Sequence, residues 1–137
     1  MLEDRKEAVI GEFSLFDEWL DKYEYLIELG KSLPPFPESS RTEENLIKGC
    51  QSKVWLDVQN DAGRLSFVAD SDALITRGII ALLVRVYSGC TPAEIAEDDF
   101  AFLDTLGLKE NLSPTRAGGL AAMVATLKRL AREQIQP

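Results

Sequence analysis

Between Ala73 and Tyr87 the sequence reads ALITRGIIALLVRVY, apolar on nearly every side of a helix. A helix that is hydrophobic all round has to be surrounded, because no face of it suits water. The rest of the chain must therefore be organised around this segment. Ser88-Gly89 ends it, and Asp70, Ser71 and Asp72 stand just ahead of it. These are N-cap residue types, so helix capping is the expected role of that acidic pair, ahead of metal binding. Only one residue can be the N-cap, which leaves the other acid available to a partner. The longest apolar stretch, Gly78 to Val84, stops at Arg85. It falls short of the roughly 18 residues that a membrane span needs.

The flanking segments supply the cover. Val54, Leu56 and Val58 alternate with Trp55, Asp57 and Gln59; Leu65, Phe67 and Ala69 alternate with Arg64, Ser66 and Val68. Asn60-Asp61-Ala62-Gly63 between them has turn composition, so an antiparallel hairpin is predicted. A third strand is placed over Asn45 to Lys48. One face of the hairpin covers the core, and the other, with Trp55, is available to cover the loop before the first strand. Upstream, Phe13, Phe16, Trp19, Leu20, Tyr23, Leu26, Ile27 and Leu29 recur at helical steps. Ser14 or Asp17 is the place for a break, and the pattern fits one helix or two. Gly30 is the expected stop, with Pro34, Pro35 and Pro37 preventing continuation.

Downstream, Thr91-Pro92-Ala93-Glu94 is a capping box with proline at the first helical position. Ser113-Pro114 repeats that start signal. The last helix gathers Leu120, Met123, Val124, Leu127 and Leu130 on one face, and its basic end suits the helix dipole. With no linker composition and no internal repeat, residues 1–137 read as a single α+β domain. A small antiparallel sheet of about three strands packs against several helices.

Charge and composition narrow the chemistry. The chain has 137 residues, a formal net charge of −8, 45% hydrophobic residues and no histidine. Such an acidic surface repels phosphate backbones, so nucleic acid is not an expected partner. Without histidine there is no His-activated nucleophile and no imidazole metal site. Two cysteines are too few for a disulfide framework or a cysteine-only metal centre. The charged N-terminus MLEDRKE lacks the apolar run of a secretory signal. A reducing, cytoplasmic setting is the expectation, with no membrane partner.

Cys50 is the most informative residue. It lies in Lys48-Gly49-Cys50-Gln51-Ser52-Lys53, a polar, glycine-flanked loop just before the first strand. Lys48 and Lys53 bring positive charge, which favours a thiolate. The alternative is a small hydrophobe tucked under a loop. With no histidine to serve as base and no CxxC pair, the chemistry left to such a thiolate is attack on a soft electrophile, a disulfide or a persulfide. Cys90 reads differently: it precedes the predicted N-cap Thr91, with Ile95 at the fourth helical position, which is hydrophobic-staple spacing. A Cys50–Cys90 disulfide stays open on spacing, though the expected compartment argues against it. Arg116 falls in the first turn of the last helix, where a cation opposes the dipole. That placement points either to a partner such as Asp70, Asp72 or a thiolate, or to plain solvation. Gly118-Gly119 beside it costs helix stability and permits close approach of another backbone.

Taken together these blocks resemble the SufE family, the sulfur-acceptor partners of cysteine desulfurases. The resemblance runs from about Trp19 to Leu130 and is carried by YLIELG (25–30), GCQSKVW (49–55), ADSDA (69–73), TPAEI (91–95), LGL (106–108) and LSPTR (112–116) with Gly119-Leu120. It implies a compact α+β domain related to the iron–sulfur scaffold proteins. It implies that Cys50 receives persulfide sulfur from a separate, pyridoxal-phosphate-dependent desulfurase and relays it toward iron–sulfur cluster assembly. Asp72 corresponds to the family's partner-facing acid and Arg116 to its arginine near the cysteine loop. Gly49, Gln51, Ser52 and Asp70 are carried over as loop-supporting or partner-binding residues. The resemblance implies no cofactor on this chain, a downstream sulfur acceptor, and a monomer or weak homodimer. The competing expectation from the residues alone is a stand-alone thiol-dependent sulfurtransferase or redox enzyme using Cys50.

Overall fold

The computed structural model describes residues 2–135. Helices α1 (Leu2–Phe13) and α2 (Trp19–Lys31) lead into a proline-rich segment and two short 3-10 turns, Glu38–Ser40 and Glu43–Asn45. Strands β1 (Val54–Asp61) and β2 (Arg64–Ser71) follow, then α3 (Leu74–Tyr87), α4 (Pro92–Glu97), α5 (Phe102–Leu106), α6 (Leu108–Asn111) and the long α7 (Pro114–Gln134). The fold is α+β.

Helix α3 sits at the centre, as its sequence demands. It packs on α1, α2, α7 and both strands, and Ile79, Ile80, Leu82, Leu83, Val86 and Tyr87 are all buried. The hairpin presents Val54, Leu56, Leu65, Phe67 and Ala69 to it, in a register that pairs Val54 with Ser71 and Asp61 with Arg64. Ala62 and Gly63 both have positive φ (54° and 88°), the signature of the tight turn that matches strand twist. The Asn60 side chain supports it by accepting the Gly63 amide at 2.9 Å.

Helices α2 and α3 meet at glycines. A Cβ on Gly78 would lie 2.2 Å from the Leu26 carbonyl oxygen, and one on Gly30 would lie 2.9 Å from the Gly78 nitrogen. Gly30 therefore serves a backbone crossing; the helix runs one residue further, to Lys31, before it stops.

Other expectations are corrected. The sheet has two strands. The predicted third strand reduces to one bridge, Leu46 to Trp55, with the Ile47 amide donating to the Val54 carbonyl at 2.8 Å. The 3-10 turn before it and Gly49 at φ 96° after it leave no length for a ladder. The N-terminal pattern forms two helices, but neither Ser14 nor Asp17 caps the second. The Ser14 hydroxyl bonds back to Gly11, and the N-cap of α2 is Glu18, which makes no side-chain cap. The acidic pair does not cap α3 either. Its N-cap is Ala73, because β2 continues through Ser71 and absorbs Asp70 into the sheet. The Thr91 capping box forms as expected, with the Glu94 amide donating to Thr91 at 3.2 Å and the Thr91 amide to Glu94 at 2.8 Å.

A charged clamp ties the first three helices. Arg85 of α3 donates to Glu12 of α1 and to the Tyr25 hydroxyl of α2. Arg85, acting against burial, draws the Glu12 carboxyl down to about 2. A group depressed on folding contributes stability above its unfolded value, near 4.5, and loses it as pH falls toward the folded value. Glu12→Gln is therefore expected to melt lower than wild type at neutral pH. The gap should close as pH drops below about 4.5, read by thermal melts across an acid series.

Candidate functional site

The Cys50 loop rests on the N-terminal part of α7, and the fit depends on missing side chains. Gly49 takes a positive φ, and a Cβ there would come within 3.1 Å of the Ala122 Cβ. On the other surface, a Cβ on Gly119 would sit 3.5 Å from the Cys50 Sγ. The predicted close backbone approach at the glycine pair is thus made by Gly119 alone; nothing lies within 4 Å of a Cβ on Gly118. The Cys50 thiol points at the Gly119 carbonyl oxygen, 3.6 Å away.

Around that thiol lies a small cavity of about 70 Å³. The loop contributes Cys50, Gln51 and Ser52; α7 contributes Thr115, Arg116, Gly119 and Met123; α3 contributes Thr76 and Ile79. The fold thus brings Cys50, Gln51, Ser52 and Arg116 to one cavity, with Gly49 behind them against Ala122. Thr76, Ile79, Thr115 and Met123, which no local motif singles out, complete the cavity walls. Their only signal was spacing: Thr76 and Ile79 are one turn apart on α3, and Arg116, Gly119 and Met123 follow the same three- and four-residue steps on α7.

The electrostatics differ from expectation. Burial pushes the Cys50 thiol up. Lys48 and Lys53 are exposed and do not offset it, so the local basic residues do not produce a ready thiolate. Alkylation of Cys50 is accordingly expected to be slow at neutral pH. The midpoint of its pH–rate profile should lie above that of an ordinary cysteine, near 8.5. A pH–rate profile with iodoacetamide on the Cys90→Ser protein reads this directly; a midpoint at or below about 8.5 would contradict the buried geometry.

The acids are placed apart. The Asp72 carboxylate accepts the Lys53 amide at 3.0 Å, and the Ser71 hydroxyl donates to the Lys53 carbonyl at 2.8 Å. Together they staple the end of the Cys50 loop to the end of β2, and Asp72 stays exposed. Asp70 does not reach the cavity. Its carboxylate takes Arg41 at 2.6 Å and Arg77 at 3.0 Å. Burial opposes its charge, but the Arg41 and Ser71 hydrogen bonds and Arg77 hold it below the usual carboxylate range. Asp70 is therefore no partner for Arg116, which stands exposed at the cavity rim. Trp55 does not cover the Cys50 loop either; it faces Phe36 and Arg41.

Cys90 belongs elsewhere. It is 3% exposed, as is fitting for a residue packed ahead of the buried Ile95, and Arg5 approaches its sulfur at 3.6 Å. Its backbone completes the edge of β2: the Leu65 amide donates to the Cys90 carbonyl at 2.8 Å, and the Gly89 amide to the Leu65 carbonyl at 2.6 Å. Both cysteines are free thiols.

The profile of the SufE family, described as an Fe-S metabolism associated domain, matches residues 7–131. The chain belongs to the SufE family. It is 43% identical over 133 residues to an uncharacterized SufE-like protein of Rhizobium etli, covering 92% of this chain and 88% of that one. It is also 43% identical over 127 residues to an uncharacterized SufE-like protein of Rhizobium meliloti, covering 89% of this chain and 91% of the relative. The solution structure of a hypothetical protein from Thermus thermophilus shares the fold, with a TM-score of 0.78 over 94% of each chain and 21% identity. Family membership associates the chain with iron–sulfur metabolism. Among the described residues, no helix is long and apolar enough to cross a membrane.

Proposed function

We propose that this protein is a sulfur carrier that accepts persulfide sulfur on Cys50 from a pyridoxal-phosphate-dependent cysteine desulfurase and passes it toward iron–sulfur cluster assembly. The observation that carries the reading is the Cys50 thiol itself, held in a cavity of about 70 Å³ between a glycine-flanked loop and Gly119. That space has room for one added sulfur atom on the thiol.

The step balances without an added oxidant. Cys50, as thiolate, attacks the outer sulfur of the desulfurase persulfide. The new S–S bond forms on Cys50 as the old one breaks, and its electron pair leaves with the desulfurase cysteine as thiolate. The outer sulfur keeps its oxidation level. The Cys50 proton goes to water or to the desulfurase. No acid–base residue of this chain is required, and the pyridoxal phosphate belongs to the partner. Since burial holds the thiol protonated, docking has to expose Cys50 to ionise it. The Gly49 hinge, at φ 96°, is the point about which the loop swings outward. Arg116, at the rim of the cavity, faces the thiolate once it forms.

The test is intact-protein mass spectrometry after incubation with a cysteine desulfurase and cysteine, using wild type, Cys50→Ser and Cys90→Ser. Wild type and Cys90→Ser are expected to gain reductant-labile sulfur, and Cys50→Ser none. Sulfur on the Cys50→Ser protein would overturn the assignment.

A further inference from the structure

Thr76 is the one buried polar side chain on the wall of the Cys50 cavity. It is 8% exposed, and Ile79 and Met123, enclosed beside it, bring no donor. The other polar side chains of the lining, Gln51, Ser52, Thr115 and Arg116, are exposed or half-buried. A helical threonine has a carbonyl within reach one turn earlier. Thr126 of α7 uses it, donating to Ala122 at 2.8 Å. The Thr76 hydroxyl does not: among the described residues it has no hydrogen-bond partner. The Cys50 thiol points past it, at the Gly119 carbonyl. The hydroxyl is not sealed in either, since every fully enclosed polar side-chain atom among the described residues has a partner. What Thr76 leaves accessible is therefore an unpartnered hydroxyl in a cavity wall.

Loading reverses what the sulfur needs. The thiol is a donor, 3.6 Å from the Gly119 oxygen. After transfer the inner sulfur has no hydrogen to give, and the outer sulfur, as an anion, only accepts. It lies one S–S bond, about 2.05 Å, beyond Sγ, and the cavity of about 70 Å³ is the space open to it. There it meets the first turns of two helices: Thr76 is the third residue of α3, and Thr115 and Arg116 are the second and third of α7. Negative charge is favoured at such positions. We propose that the Thr76 hydroxyl donates to the outer sulfur of the Cys50 persulfide and holds it inside the cavity until a partner draws the loop out. The unloaded thiol does not make this bond, so the contact tells loaded protein from unloaded. This inference rests on the carrier reading and names the group that retains the sulfur.

The experiment compares two pairs that differ by the hydroxyl: wild type with Thr76→Val, and Thr76→Ser with Thr76→Ala. Each protein is loaded by a cysteine desulfurase and cysteine, freed of both, and mixed with glutathione. The glutathione thiolate takes the outer sulfur as its own persulfide, and Cys50 leaves as thiolate. Intact mass then follows the loss of one sulfur atom. Within each pair, the protein without the hydroxyl is expected to lose sulfur about tenfold faster, the worth of one hydrogen bond to a charged group. The loop opens more often when that bond is missing. Alkylation of unloaded Cys50 by iodoacetamide should match within each pair, because the thiol makes no bond to Thr76. The serine and alanine pair keeps the comparison valid if valine disturbs the helix. Equal sulfur lifetimes within a pair whose members melt alike would overturn the proposal. So would an equal acceleration of alkylation on the unloaded thiol, the mark of a loosened wall. Both outcomes leave the carrier reading intact; failure of wild type itself to gain sulfur would remove both.

Discussion

Cys50→Ser is expected to abolish stimulation of cysteine desulfurase turnover while leaving the fold unchanged. The substitution replaces a half-buried thiol by a hydroxyl of nearly the same size. Its single partner, the Gly119 carbonyl 3.6 Å away, accepts either group. Melting should therefore stay close to wild type, within about 1 kcal/mol. The chemical effect is total, because a serine hydroxyl cannot take the outer sulfur of a persulfide by thiol exchange. The comparison separates two roles. A carrier loses all stimulation when its acceptor is removed; a pure interaction module, acting by contact alone, still stimulates. Stimulation by Cys50→Ser at the wild-type level would make this protein a module and would sink the relay chemistry.

The second large effect concerns the glycine crossing. Gly78→Ala places a methyl group 2.2 Å from the Leu26 carbonyl oxygen and 2.5 Å from its carbon. Both are main-chain atoms of α2, so no rotamer change relieves the overlap. The helices have to separate at the most buried point of the fold, where Leu26 and Ile80 are fully enclosed. Overpacking of this kind costs about 3 kcal/mol, which outweighs the roughly 1 kcal/mol that alanine normally gains over glycine in a helix. A fall in melting temperature of about 10 °C follows for a chain of this size. Gly118→Ala is the control. It is also helical, but nothing lies within 4 Å of the added carbon, so it should stabilise by about 1 kcal/mol. Equal behaviour of the two variants in thermal melts would contradict the crossing.

What could be read ahead of the structure was what repeats locally. The enclosing of α3 follows from a run with no polar face. The hairpin follows from alternation at period two, and the Thr91 box from four adjacent residues. The failures share a cause too. Whether Asp70 and Ser71 cap a helix or extend a strand depends on the pairing of Val54 with Ser71, and no window around residue 70 contains Val54. Asn45 to Lys48 suits a third strand locally, yet its length is set by where Gly49 turns the chain against Ala122 of α7. The Cys50 site shows both sides. Its loop stood out by composition, and the resemblance to SufE proteins brought Arg116 to it. Its electrostatics run against the local positive charge, because the residues that bury the thiol, Gly119 among them, lie far along the chain.

The length of α3 has one more consequence. The Cys50 cavity touches its first turns, at Thr76 and Ile79, while the Cys90 sulfur lies near the Val86 carbonyl at the other end. At 1.5 Å per residue, that stretch of helix holds the two sulfurs on the order of 10 to 15 Å apart, well beyond disulfide reach. A persulfide with a thiol neighbour discharges itself: the thiol attacks the inner sulfur, a disulfide forms and sulfide escapes. This molecule contains no such internal short circuit. On the carrier reading, a sulfur atom stored on Cys50 is exposed to outside thiols and not to Cys90, so its lifetime is set by solvent and partner.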